Sequence, residues 1–210
     1  MSDWNPLKRV ALLKAAKPKR QREDDPLNRV PPGQYTTTKF PVLTYGDTPK
    51  IALQDWKLKV WSLVENPIEL NWEQLLALPR KEIVCDLHCV TRWSQLDTKW
   101  EGVPFSEIAK LAQPKPEARY VMQHCYGGYT TNLPITEMYG DDVLLAFHYD
   151  GKPLPTEHGG PLRMLVPKLY LWKSAKWLNG LEFMARDRRG FWEKNGYHHH
   201  GDPWTEERFG

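Results

Sequence analysis

Apolar and polar residues alternate most clearly in short stretches separated by turn signals. Trp56-Lys57-Leu58-Lys59-Val60-Trp61 puts apolar side chains on one face and lysines on the other, the pattern of a half-exposed strand. Asn71 with Gln74 three residues on is a capping-box pattern, opening a short helix through Leu75, Leu76 and Ala77 that Pro79 stops. Ile83, Cys85 and Leu87 alternate with Val84, Asp86 and His88, which predicts a buried strand ending at Cys89. Pro104 can begin a helix with Phe105, Ile108, Ala109 and Ala112 on one face. Tyr120 to Cys125, Val143 to Tyr149, Leu162 to Val166 and Leu181 to Ala185 are further strand candidates. Gly127-Gly128, Asp150-Gly151 and Asn179-Gly180 mark turns between them. Several strands with only short helices predict an α+β fold, not a doubly wound sheet.

The domain plan is simple. Residues 1–30 read as a basic arm: Lys8, Arg9, Lys14, Lys17, Lys19, Arg20 and Arg22 crowd it, and Pro6, Pro18 and Pro26 break any long helix. Pro31, Pro32 and Gly33 punctuate the start of one compact domain over residues 31–210. The net charge of +3 does not suggest a nucleic-acid binder. No apolar run approaches the ~20 residues of a membrane span, and no signal-peptide hydrophobic region is present, so a cytoplasmic location is expected. The chain has ten Trp and nine Tyr, large aromatics that suit either a core or the walls of a polar cofactor cavity.

Three cysteines, Cys85, Cys89 and Cys125, are too few and too odd in number for a disulfide framework. Cys89 sits at a predicted strand end, where a side chain can enter a cleft, and Arg92 three residues on supplies positive charge that favours a thiolate. Soft thiolates suit a redox-active or soft metal. Zinc competes for the same residues, with Cys85, His88, Cys89, His124 and Cys125 as ligands on paper. However, positions 85 and 89 of one strand lie ~13 Å apart, too far for one ion. Cys85 and Cys125 read as small buried hydrophobes.

A second constellation is His158-Gly159-Gly160-Pro161-Leu162-Arg163 followed by Lys173-Ser174-Ala175-Lys176-Trp177. Glycines admit close backbone approach, and Arg163, Lys173, Lys176 and Ser174 together could grip a phosphate or form a charged surface loop. His198-His199-His200 reads as a solvated loop near the domain edge.

The string His88-Cys89-Val90-Thr91-Arg92-Trp93-Ser94, with Trp100-Glu101-Gly102-Val103, resembles the metal-ligand segment of the sulfite oxidase-like molybdopterin-binding family. The His158-to-Arg163 and Lys173-to-Trp177 stretches are similar to its pterin-binding segments. Arg189-Gly190-Phe191-Trp192-Glu193, Gly196-Tyr197-His198 and Gly201-Asp202-Pro203-Trp204 resemble the ending of its small bacterial members. The likeness runs from about Pro31 to the C-terminus.

That resemblance implies an α+β fold of mixed sheets with the cofactor buried between them. It implies a molybdopterin cofactor, Cys89 as the single protein ligand of molybdenum, and oxygen-atom transfer to or from a small oxyanion, sulfoxide or related compound. Electrons would pass through a separate electron-transfer protein. His158 and Arg163 would bond the pterin and its phosphate, Ser174, Ala175 and Lys176 would hold the phosphate, and His124 would be another contact. Thr38, Lys39, Phe40 and Pro41 occupy the place of the family's N-terminal cofactor loop, without the Arg-Asn-His triplet of true sulfite oxidases. Arg92 or Lys39 would attract an anionic substrate; Arg92 reads equally as a salt bridge in the cofactor loop. A cofactor-carrying module without turnover and a structural zinc protein are the competing classes.

Overall fold

The computed structural model describes residues 5–16 and 27–210. Lys17, Lys19, Arg20 and Arg22 of the basic run lie outside the described residues. The earlier part of that basic segment forms a short helix. Asn5 caps it, its side-chain oxygen accepting from the N–H groups of Leu7 and Lys8, and Pro6 takes a first-turn position that needs no donor. The helix α1 spans Pro6–Ala15, and its Val10 is buried against the domain.

The chain continues through β1 (Tyr35–Thr36), β2 (Lys57–Ser62), β3 (Ile68–Asn71), α2 (Trp72–Leu76), β4 (Lys81–His88), β5 (Trp93–Pro104) and α3 (Phe105–Ala112). It then forms β6 (Tyr120–Cys125), β7 (Thr130–Pro134), α4 (Ile135–Met138), β8 (Leu144–Tyr149), β9 (Lys152–Pro153), β10 (Arg163–Leu165), β11 (Leu178–Met184) and α5 (Phe191–Lys194). The expected α+β class is what the strands build: two mixed sheets with short helices.

The first sheet is organised on β5. β4 runs antiparallel to it from Lys81 opposite Gly102 to His88 opposite Ser94. The short β1 pairs in parallel with the first residues of β5, and β8 pairs antiparallel with its last. β10 and β9 then pair with β8. The second sheet has the order β3-β2-β11-β6-β7, with β11 parallel to β2 and antiparallel to β6.

Most local signals act as read. The capping box at Asn71 and Gln74 is formed, each side chain accepting from the other residue's N–H. Phe105, Ile108, Ala109 and Ala112 are the buried face of α3. Asp150 and Gly151 both have positive φ, the turn that joins β8 to β9. Asn179-Gly180, however, is not a turn. It lies inside β11 at a register shift, and a Cβ on Gly180 would come 2.7 Å from the Trp61 ring. The glycine serves close packing there.

Two cores result. One packs the second sheet on α3, with Leu58, Val60, Phe105, Ile108, Val121 and Phe183 inside. The other is aromatic, joining Trp93, Trp100, Tyr170, Trp172, Trp192 and Tyr197 to Cys89 and Val10. Lys173, expected in a phosphate grip, is instead fully buried beneath this second core. Its Nζ lies 2.6 Å from Glu193 Oε1, which also accepts from Thr131 Oγ1 and Trp172 Nε1. This pair ties the Leu171–Lys173 turn to α5. No described helix is long and apolar enough to cross a membrane.

Removing one partner of a buried ion pair leaves the other charge uncompensated. Glu193→Ala is therefore expected to lower stability by about 3–5 kcal/mol, measured as the urea unfolding free energy. A loss within about 1 kcal/mol, the value of an exposed pair, would contradict this account.

Candidate cofactor cleft

The four residues Cys89 to Arg92 link β4 to β5. The turn is closed by Cys89 N–H donating to Trp93 O (2.9 Å) and Arg92 N–H donating to Cys89 O (2.9 Å). Arg92 takes the left-handed conformation that the turn needs, with φ of 73°. Gln34 Nε2 donates to Cys89 O from beneath, at 3.1 Å. Together these bonds hold the Cys89 side chain at the wall of a cleft of about 130 Å³ that opens to solvent. Thr91 Oγ1 donates to Cys89 Sγ at 3.1 Å. Burial pushes the thiol pKa up, and the Thr91 bond works against that.

A second group lines the same cleft. The Arg163 guanidinium is buried and donates to three backbone carbonyls: His158 O (2.8 Å), Ser174 O (2.9 Å) and Met164 O (3.2 Å). It fastens the His158 loop to the Ser174 loop. Gly159, at φ of 113°, lies where a Cβ would come 3.0 Å from Lys176 Cβ, so only glycine lets the two loops close. Lys176 Nζ donates to Glu157 O (2.7 Å) and Thr44 Oγ1 (2.9 Å). Phe40 stacks on the His158 ring at 4.0 Å. Burial, then the neighbouring Arg163 charge, push the Lys176 pKa down to about 7. Burial likewise lowers Arg163 to about 10. No carboxylate lines the cleft among the described residues. It is a positive, aromatic pocket.

Trp93 Nε1 is buried there with no hydrogen-bond partner. An orphaned donor, a thiol and a cluster of desolvated cations are the fittings for a ligand that brings acceptors, a phosphate and a soft metal. Residues 45–192 match the oxidoreductase molybdopterin binding domain family. The chain belongs to this family.

Its relatives extend the match. The uncharacterized oxidoreductase YuiH of Bacillus subtilis (strain 168) is 49% identical over 189 residues, 90% of this chain and 96% of that protein. The protein-methionine-sulfoxide reductase catalytic subunit MsrP of Xanthomonas axonopodis pv. citri (strain 306) is 32% identical over 68% of this chain. This chain spans only 49% of that relative's length. The crystal structure of the sulfane dehydrogenase SoxCD from Paracoccus pantotrophus superposes with a TM-score of 0.60 at 26% identity, covering 66% of this chain and 40% of that one. The chain is thus a molybdopterin-dependent oxidoreductase of the sulfite oxidase-like type, with a molybdenum cofactor.

The cleft of this molybdopterin oxidoreductase gathers Cys89, Phe40, His158, Arg163, Ser174, Ala175 and Lys176. Ser174 Oγ accepts from Val166 N–H, and Ala175 N–H donates to Gln123 Oε1 (3.1 Å), so that amide is already used. Four expected residues are not on its wall. Thr38 and Lys39 are exposed. Arg92 turns its guanidinium away, 4.0 Å from Glu206 Oε1. His124 lies on β6 in the other sheet, 2.9 Å from Glu182 Oε2. In both cases an acidic partner elsewhere fixes the side chain.

The sequence reading also missed residues. Tyr129, Tyr197 and Arg9 line the cleft, and nothing in their local spacing marks them. His198 to His200 are half-buried instead of solvated, with His198 and His200 both reaching Glu207 and His200 also reaching Glu137. Among the described residues no His, Cys, Asp and Glu group of three is placed to hold a metal ion.

A lysine attracts an anion only while protonated, so affinity due to Lys176 is present below about pH 7 and lost above it. Sulfate keeps its charge across this range and reports that effect. Its binding to the cofactor-free protein, followed by calorimetry, is expected to weaken between about pH 6 and about pH 8.5. In Lys176→Met the pH dependence should vanish; a slope that persists would show that another group titrates.

Proposed function

We propose that the chain transfers an oxygen atom to or from a small sulfur or nitrogen compound, with Cys89 as the protein ligand of molybdenum. One observation carries this reading: a single thiol lines the described cleft, in company with the desolvated Arg163 and Lys176. A thiolate is a soft ligand suited to such a metal. Metal coordination takes the deprotonated form outright, which removes the penalty that burial imposes on the thiol's ionisation. The Thr91 hydroxyl then stabilises the sulfur's negative charge.

Lys176 would meet the phosphate of the pterin, and its proton would be secured by that charge. Arg163 holds the shape of this subsite from behind, since its fork is already occupied by carbonyls. Ser174 can turn its hydroxyl hydrogen to the phosphate while its oxygen keeps the Val166 bond. Phe40 fixes the His158 ring toward the pterin, and Trp93 Nε1 offers a donor. When bound, the cofactor supplies a metal centre that exchanges an oxygen atom and two electrons with the substrate. The aromatic wall of Trp93, Trp172 and Trp192 limits water around that exchange. MsrP and SoxCD are named for reactions at sulfur, which supports a sulfur-centred substrate. A separate electron-transfer protein closes the cycle.

Cys89→Ser tests the assignment. Expressed in a cofactor-competent host, it is expected to fold with an unchanged circular dichroism spectrum. Sulfoxide- or sulfite-dependent redox activity should fall by more than the about 10–100-fold typical of an outer-shell change, with molybdenum content reduced. Wild-type metal content together with wild-type activity would refute the ligand role.

A further inference from the structure

Three cations line the described cleft: Arg163, Lys176 and Arg9. The first two form one group, joined through the His158 and Ser174 loops. Arg9 comes from elsewhere. It sits on α1, outside the 45–192 stretch that matches the family. Its charge bears on Tyr197, which shares the aromatic core with Cys89 and Val10.

The helix is laid over the domain by one face. Val10 is 5% exposed and packs toward Gly196. Lys14 Nζ lies 5.3 Å over the Phe209 ring. Leu7 and Leu12 on the outer side are 62% and 73% exposed. Such a helix rests on few buried contacts, so its closed position is of low local stability.

Charge accounting then leaves Arg9 over. A pterin phosphate of about two negative charges matches the Lys176 and Arg163 group. No carboxylate among the described lining residues balances Arg9. Its planar fork fits two oxygens of one anion. A neutral sulfoxide offers one oxygen and no charge, and gains less from it.

We propose that α1 caps the cofactor cleft and that Arg9 is a specificity-determining residue that recognises an oxyanion substrate beside Cys89. The proposal rests on the reading of the cleft as the cofactor site.

The test uses molybdenum-loaded full-length protein with sulfate as an unreactive oxyanion, titrated by calorimetry. In that form the cofactor occupies the Lys176 group. Arg9→Gln is expected to weaken sulfate binding by about tenfold or more, Arg9→Lys less, and both should keep wild-type molybdenum content. Val10→Asp, which undocks α1 while keeping Arg9, should weaken sulfate to a similar degree and speed proteolytic cleavage before Pro31. Unchanged sulfate affinity in Arg9→Gln overturns the proposal. So does unchanged affinity in Val10→Asp once cleavage is accelerated. Loss of molybdenum from Arg9→Gln also overturns it, because Arg9 would then hold cofactor. Wild-type protein that carries no molybdenum would defeat the underlying reading itself, a result separable from any effect of these variants.

Discussion

A guanidinium buried without a carboxylate holds the cleft together. Arg163 closes the His158 loop against the Ser174 loop by donating to carbonyls of both. Each such charge-assisted bond contributes about 1.5–3 kcal/mol, which offsets part of the cost of burying the charge. The Trp100 ring, 5.6 Å from the guanidinium carbon, adds the attraction of its electron-rich face. The rest of that cost is the burial that lowers the pKa values of Arg163 and Lys176. The fold stores a positive potential that only an anion relieves. Lysine could not substitute at 163, because one ammonium cannot reach three diverging carbonyls in a fixed plane.

Much of the architecture was legible in the chain because it depends on local signals. The β2 alternation, the Asn71 capping box, the apolar face of α3 and the Asp150-Gly151 turn each follow from neighbouring residues. β5 was not read, although it is the longest strand. Its residues Trp93–Pro104 mix buried and exposed positions irregularly because its partners change along its length. Asn179-Gly180 misled for a related reason, since a dipeptide that favours turns was selected for contact with a ring on the adjacent strand. Cys89, His158, Arg163 and Lys176 meet on one cleft from segments that are each contiguous in sequence. Arg92 and His124 lie off the cleft wall, since charge and proximity in sequence do not say which way a side chain faces. Arg9 and Tyr197 reach the site from opposite ends of the chain, and such a meeting leaves no local mark.

Those two ends complete what the family segment begins. The matched stretch supplies the thiol and the cation group. The C-terminal tail supports the thiol's turn: Arg208 donates to Val90 O (3.1 Å) and Pro32 O (3.2 Å), and its guanidinium lies 4.9 Å from the Tyr170 ring centroid. The position of Cys89 therefore depends on residues more than a hundred positions downstream.

The aromatic wall has an optical consequence. Of ten tryptophans in the chain, Trp93, Trp172, Trp177 and Trp192 border the cleft. Their indoles are largely shielded from water, and the cleft lies directly beside them. A light-absorbing guest seated there would lie beside these four emitters and take up part of their excitation. The intrinsic fluorescence of the molecule would thus follow the occupancy of its reaction chamber, a built-in reporter of cofactor loading.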